Sequence, residues 1–161
     1  MALQKIEINN VTILFNKEKT QNNQTDYNRP CDCQDCRNYY KNIENNNELI
    51  EFLTGFGVDY LRAEEIMPID LGNEKESLIN YSAYYCVVGS ISKVISIKKE
   101  DFSVSFGFSS NINVGHEISD DYFFIVVDID LPYILDEERE FPPLSFIEKC
   151  IDKFKLFFKR K

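Results

Sequence analysis

The second half of the chain contains three segments rich in Val, Ile, Phe and Tyr, at 84–97, 102–108 and 122–131. In the last segment every second residue from Phe123 to Leu131 is apolar. This alternation predicts strands that bury one face, and an antiparallel meander is the simplest way to connect them. The pattern constrains the fold most, because a sheet with one apolar face needs a second layer to cover it.

Apolar residues at helical spacing predict two helices between residues 33 and 57, and these supply the second layer. The first is expected to begin at Cys33 with Asp32 as its N-cap, and the second to span 48–56 and stop at Gly55 or Gly57. The other predicted elements are a hairpin over 3–15 that turns at Asn9 and Asn10, a solvated loop over 16–30, a helical turn over 59–67 and an amphipathic helix after Ser145.

Length and element order predict a single α+β domain over residues 1–161. Its antiparallel sheet is expected to lie between residues 80 and 131. The N-terminal helices and the C-terminal amphipathic helix are expected to pack on this sheet.

Charge and composition narrow the class of function. The net charge of -9 and the pI near 4.7 argue against a nucleic-acid binder. No apolar stretch approaches 18 residues, and the N-terminus lacks the pattern of a secretory signal, so we expect no membrane partner. The odd count of five cysteines favours reduced thiols in the cytoplasm. No phosphate-binding or nucleophile motif is present, which favours a non-enzymatic protein.

The sharpest local motif is the cysteine trio, defined as Cys31, Cys33 and Cys36. Buried Cys33 and Cys36 on the first turns of a helix are one interpretation. A structural zinc site is the second, with Cys86, His116 or Cys150 as the fourth ligand. A redox or disulfide role is the third. Only the second interpretation implies a cofactor, and that cofactor is zinc.

Residues 117–140 contain nine acids and one base, for a local net charge of -8. Such a surface can capture a basic protein, and Asp128, Asp130, Glu137 and Glu138 are the candidate partner-binding residues. A solvated face and a divalent-ion site at Asp128 and Asp130 are the alternatives. The expected last helix carries six bases over 146–161 and is predicted to dock on the sheet. Binding of this helix to anionic lipid is the alternative, which the acidic body of the protein would oppose.

Three segments of the chain resemble a set of small uncharacterised bacterial proteins. They are Cys31–Tyr40 with a CxCxxCRNY motif, Phe52–Asp59 with an FGVD turn, and Leu131–Asp136 with an LP-aromatic exit. The similarity spans roughly residues 10 to 140. Proteins of this size and charge occur as immunity partners of bacterial toxins. The resemblance therefore implies a domain that neutralises a basic protein toxin by occluding it, and it transfers no catalytic residue.

Overall fold

The structure, a computed structural model, describes residues 3–25, 31–69, 78–108 and 118–139. Seven strands and three helices lie within these ranges, consistent with the predicted α+β class. In chain order they are β1 (Gln4–Ile8), β2 (Val11–Phe15), α1 (Lys17–Thr25), α2 (Gln34–Ile43), α3 (Asn47–Gly55), β3 (Glu65–Ile69), β4 (Leu78–Ile91), β5 (Ile95–Lys98), β6 (Phe102–Gly107) and β7 (Tyr122–Pro132).

The strands form one sheet in the order β1-β2-β4-β7-β6-β5, and every pairing along it is antiparallel. β2 and β3 share the second edge of β4, where Phe15 lies opposite Gly89 and Glu65 lies opposite Tyr84. The predicted meander holds only for β5, β6 and β7. β4 pairs with β7 instead of β5, because joining these two long strands, of 14 and 11 residues, aligns their apolar positions over 11 residue pairs.

The main core lies between the sheet and the helices α2 and α3. Alternate residues of β4 and β7 face this layer, which we call the inner face of the sheet. Phe106 on β6 contacts the rings of Phe52 and Phe56 at centroid distances of 6.1 and 5.5 Å. The helical side chains buried in the same core are Tyr39, Ile43, Leu49 and Leu53. The opposite side of the sheet is called the outer face.

The hairpin turn at Asn9 and Asn10 and the helix stop at Gly57 were predicted from the sequence, whereas the cap at Asn46 was not. Asn9 and Asn10 have φ angles of 48° and 63°, as a two-residue hairpin between β1 and β2 requires. The side chain of Asn46 accepts from the Leu49 amide at 3.0 Å and starts α3. Gly57, at φ 84°, follows the end of α3 in the left-handed conformation.

Two sequence predictions about this half of the chain are wrong. The expected loop over 16–30 contains α1, a polar helix without an apolar stripe. Two of its residues are buried through hydrogen bonds to the rest of the fold: Val88 donates its amide to Thr20 Oγ1 at 3.1 Å, and Asp59 donates its amide to Gln24 Oε1 at 2.9 Å. The expected helical turn over 59–67 ends in β3, because the second edge of β4 is available there for pairing.

The predicted strand over 84–97 is also two strands, since a turn at 92–94 separates β4 from β5. Among the described helices, none combines the length and the apolar composition needed to cross a bilayer. The C-terminal amphipathic helix predicted after Ser145 lies outside the described residues.

Candidate functional site

The cysteine trio gathers at the start of α2. The three sulfur atoms all lie within 4.8 Å of one another. Cys31 and Cys33 are exposed, whereas Cys36 is buried, with 5% of its surface accessible. The prediction that Cys33 and Cys36 both face the core is therefore right for Cys36 and wrong for Cys33.

The backbone at the start of α2 explains this convergence. Cys33, and not the predicted Asp32, is the N-cap residue, with φ -71° and ψ 160° and no capping hydrogen bond from its side chain. Asp32 does not cap, because its carboxylate projects into solvent with 93% of the side chain accessible, 3.8 Å from the Arg37 Nε. The Cys33 thiol therefore makes no capping hydrogen bond to the backbone of α2 and lies beside the Cys31 and Cys36 thiols.

The electrostatics of the trio differ from one thiol to the next. The pKa of Cys31 is lowered, first by a hydrogen bond from the Cys33 backbone N–H to its sulfur and then by the Cys33 side chain. Burial is the largest cause that raises the pKa of Cys36, and the neighbouring thiols raise it further. The trio therefore combines one sulfur whose pKa is lowered with a buried one whose pKa is raised.

Residues 133–139, which we call the exit segment, lie along α2 close to the trio. Arg37, the residue after Cys36, forms an ion pair with Glu137. The Gln34 side chain donates to the Glu138 carbonyl at 3.0 Å, and Arg139 lies 3.3 Å from the Asp35 carboxylate. The first turn of α2 thus holds the exit segment, so Glu137 is an internal ion-pair partner as well as an exposed acid.

An open groove of about 440 Å³ borders Cys31 on the other side. Its walls include Arg37, Tyr40, Lys41 and Tyr60. The groove gives solvent and small molecules access to the exposed side of the trio.

Asp128 and Asp130 lie on the outer face of the sheet, as their place in the alternation predicts. Ser82 donates its hydroxyl to Asp128, and Asn80 donates from Nδ2 to Asp130 at 2.8 Å. Both donors sit directly opposite on β4, so the two carboxylates are fixed by the pairing of β4 with β7. Asp130 is exposed and Asp128 is half-buried.

Tyr84 occupies the same outer face, two residues along β4 from Ser82. Its phenol lies near the Asp128 and Glu65 carboxylates, and the pKa of Tyr84 is raised by burial first and by these two charges next. Its ring packs edge-to-face on Phe124 at 6.2 Å. We define the outer aromatic patch as Tyr84, Phe124 and the partly buried apolar side chains around them. These side chains are Met67, Ile118, Tyr122 and Val126.

The structure separates residues that the sequence grouped together. Asp128 and Asp130 face outward, whereas Glu137 and Glu138 lie beside α2, on the inner side of the sheet. Cys86 packs on the outer face with Phe124, while its neighbour Tyr85 bonds to Tyr39 on α2, so the sheet separates Cys86 from the trio. His116 and Cys150, the other suggested zinc ligands, lie outside the described residues.

Three residues of these sites were not identified from the sequence: Tyr84 and Glu65 on the outer face, and Arg37 beside the exit segment. Tyr84 could have been found, since it shares the alternation of Ser82 and Cys86 on β4. Glu65 could not, because β3 was read as part of a helical turn. Arg37 joins the exit segment across 100 residues of sequence, and no local pattern indicates that contact.

The chain matches no protein-family model, no curated protein and no solved structure.

Proposed function

We propose that this protein is a cytoplasmic, non-enzymatic protein-binding domain that acts as an immunity protein and occludes a basic toxin. The observation that carries the proposal is the outer aromatic patch, where Tyr84 lies near the carboxylates of Asp128 and Glu65, with Asp130 further along the same face. Aromatic anchors rimmed by charged residues are the usual composition of a protein-binding surface. The chain resembles small uncharacterised bacterial proteins, and proteins of this size and charge occur as immunity partners of toxins, which is consistent with the same class of partner.

The two kinds of side chain have different tasks in this proposal. Exposed carboxylates such as Asp130 attract Lys and Arg side chains and raise the association rate, most strongly at low salt. Tyr84 and the apolar side chains around it supply area that is desolvated in the complex. Because Ser82 and Asn80 already hold Asp128 and Asp130, these carboxylates lose little conformational freedom when the partner docks.

Glu137 and Glu138 have a secondary role in the same proposal. They lie with the exit segment beside α2, and Glu137 is already paired with Arg37. They contribute to the negative potential that draws a basic partner from a distance, whereas Asp128 and Asp130 contact it.

The experiment is a growth-rescue assay in a bacterial host that expresses the basic protein encoded beside this gene. Wild-type chain is expected to restore growth, and the double variant D128N/D130N is expected to lose most of the rescue. Asparagine keeps an acceptor for Ser82 and Asn80, so this variant removes charge while preserving the sheet. The matched control is E51Q, which removes one exposed charge from α3.

Full rescue by E51Q together with failed rescue by D128N/D130N supports the proposal. It is contradicted if the double variant rescues as well as wild type does. It is also contradicted if the neighbouring product is not basic or does not inhibit growth.

A further inference from the structure

Three thiols from six consecutive residues lie close together at the start of α2. The proposed partner-binding surface on the outer face does not include them. Cys31 precedes α2, Cys33 caps it and Cys36 lies in its first turn. All three sulfur atoms therefore come from residues at or just before the start of one helix.

We propose that the cysteine trio binds one thiophilic divalent cation, zinc in the cell, through its three sulfur atoms. Thiolates bind zinc at about 2.3 Å, which places the sulfurs of a tetrahedral site about 3.8 Å apart. The sulfurs here already lie within 4.8 Å of one another. Small side-chain rotations of the exposed Cys31 and Cys33 close the remaining distance, while the buried Cys36 serves as the fixed ligand.

The surroundings of the trio act differently on its members. The backbone N–H of Cys33 donates to the Cys31 sulfur. Such a hydrogen bond orients a metal-binding sulfur and stabilises its negative charge. Cys36 is buried, so zinc must displace its proton on binding. The adjoining groove is lined by two bases, Arg37 and Lys41, and by two acids, Asp32 and Glu44.

Among the described residues, none supplies a fourth thiolate or imidazole ligand, so in this proposal the fourth coordination position is open to solvent. Cys31 and Cys33 are exposed, and Cys86 is on the other face of the sheet. Across the described ranges no histidine is present, since the chain's one His is His116. A position filled by water is an open one, which distinguishes this site from a closed four-cysteine structural site.

Metal binding has a structural consequence at the start of α2. A bound ion crosslinks residues 31–33 to the first turn of the helix, and that turn also holds the exit segment through Gln34, Asp35 and Arg37. Zinc is therefore expected to stabilise the folded state, because the unfolded chain offers no preformed site.

The test is an anaerobic titration of the reduced, full-length protein with Co²⁺, followed by displacement with Zn²⁺. We expect one equivalent of Co²⁺ with a thiolate charge-transfer band, bleached by one equivalent of Zn²⁺. The variants C31S and C33S change exposed residues, and each is expected to weaken binding by about 100-fold or more. C86A is the matched control, since it removes a cysteine outside the trio, and its titration is expected to equal that of wild type.

A second readout separates ligand loss from misfolding. One equivalent of Zn²⁺ is expected to raise the unfolding temperature of wild type and C86A, and to leave that of C31S and C33S unchanged. Absence of a charge-transfer band in the reduced wild-type protein overturns the proposal and favours a redox role for the trio. Undiminished binding by both C31S and C33S overturns it as well, because the ligands would then lie elsewhere.

Discussion

The carboxamide of Asn38 donates from Nδ2 to the hydroxyl of Tyr81 at 3.0 Å, and both residues are fully buried between α2 and the sheet. The same Nδ2 donates to the Pro132 carbonyl at 3.0 Å, and Oδ1 accepts from the Ile134 amide at 2.8 Å. This one side chain therefore fixes the end of β7 and the start of the exit segment to α2. Replacing it leaves buried polar groups without partners, so Asn38→Ala is expected to lower the free energy of unfolding by about 2–3 kcal/mol.

Asn42→Ala is the matched control for this prediction. Asn42 also donates from Nδ2 to the Pro132 carbonyl at 3.0 Å, but it is exposed enough for water to replace it. Its loss is expected to cost less than about 1 kcal/mol. Urea denaturation of both variants measures the difference, and equal losses would show that Asn38 has no special role.

The buried tyrosines predict a loss of stability in alkaline solution. The Tyr39 hydroxyl bonds to that of Tyr85 at 3.0 Å, and Tyr85 donates to the Tyr60 carbonyl at 3.0 Å. Burial raises the pKa of both Tyr39 and Tyr85, so both stay neutral in the folded protein at a pH where the unfolded chain ionises. The free energy of unfolding is expected to fall above pH about 10 by about 1.4 kcal/mol per pH unit for each tyrosine, in addition to the fall that the buried thiols of Cys36 and Cys86 cause from pH about 8.5.

Denaturation at several pH values checks this slope in wild type and in Tyr39→Phe. The variant removes one of the two buried phenols, and its slope above pH about 10 is expected to be shallower by one tyrosine's share. A free energy of unfolding that does not change up to pH about 11 would refute the prediction.

At Gly89 the backbones of the paired strands β2 and β4 approach each other closely. It has φ 151°, and a Cβ added there would lie 2.0 Å from the Leu14 carbonyl oxygen. Gly89→Ala is therefore expected to destabilise the protein by more than about 3 kcal/mol, since backbone and not a flexible side chain must move. Gly55→Ala is the control, because Gly55 ends α3 with nothing within 4 Å of the added atom, and its effect is expected to be neutral or stabilising. Thermal unfolding compares the two; similar melting temperatures would refute the strain at Gly89.

Local patterns predicted the elements whose residues alternate or repeat. β6 and β7 were readable because Val104, Phe106 and the apolar series of β7 are buried on a single face. α1 was not readable, because it buries only polar side chains such as Thr20 and Gln24 through hydrogen bonds to distant residues. The pairing of β4 with β7 likewise depends on long-range register, which no short segment encodes.

The candidate sites, too, were predictable from the sequence only where a local pattern indicates them. The cysteine spacing predicted the trio, and the alternation of β7 predicted that Asp128 and Asp130 share a face. The sequence could not show that Glu137 turns toward Arg37, because the two residues are 100 positions apart. Proximity along the chain suggested one acidic surface, but the sheet lies between its two parts.

The most direct test of the central proposal is the affinity of the purified basic partner for wild type and for D128N/D130N, measured at low and at physiological salt. The account predicts that the double variant binds at least about tenfold more weakly, or about 1.4 kcal/mol, and that its affinity depends less on salt. Equal affinity and equal salt dependence in the two proteins would contradict it.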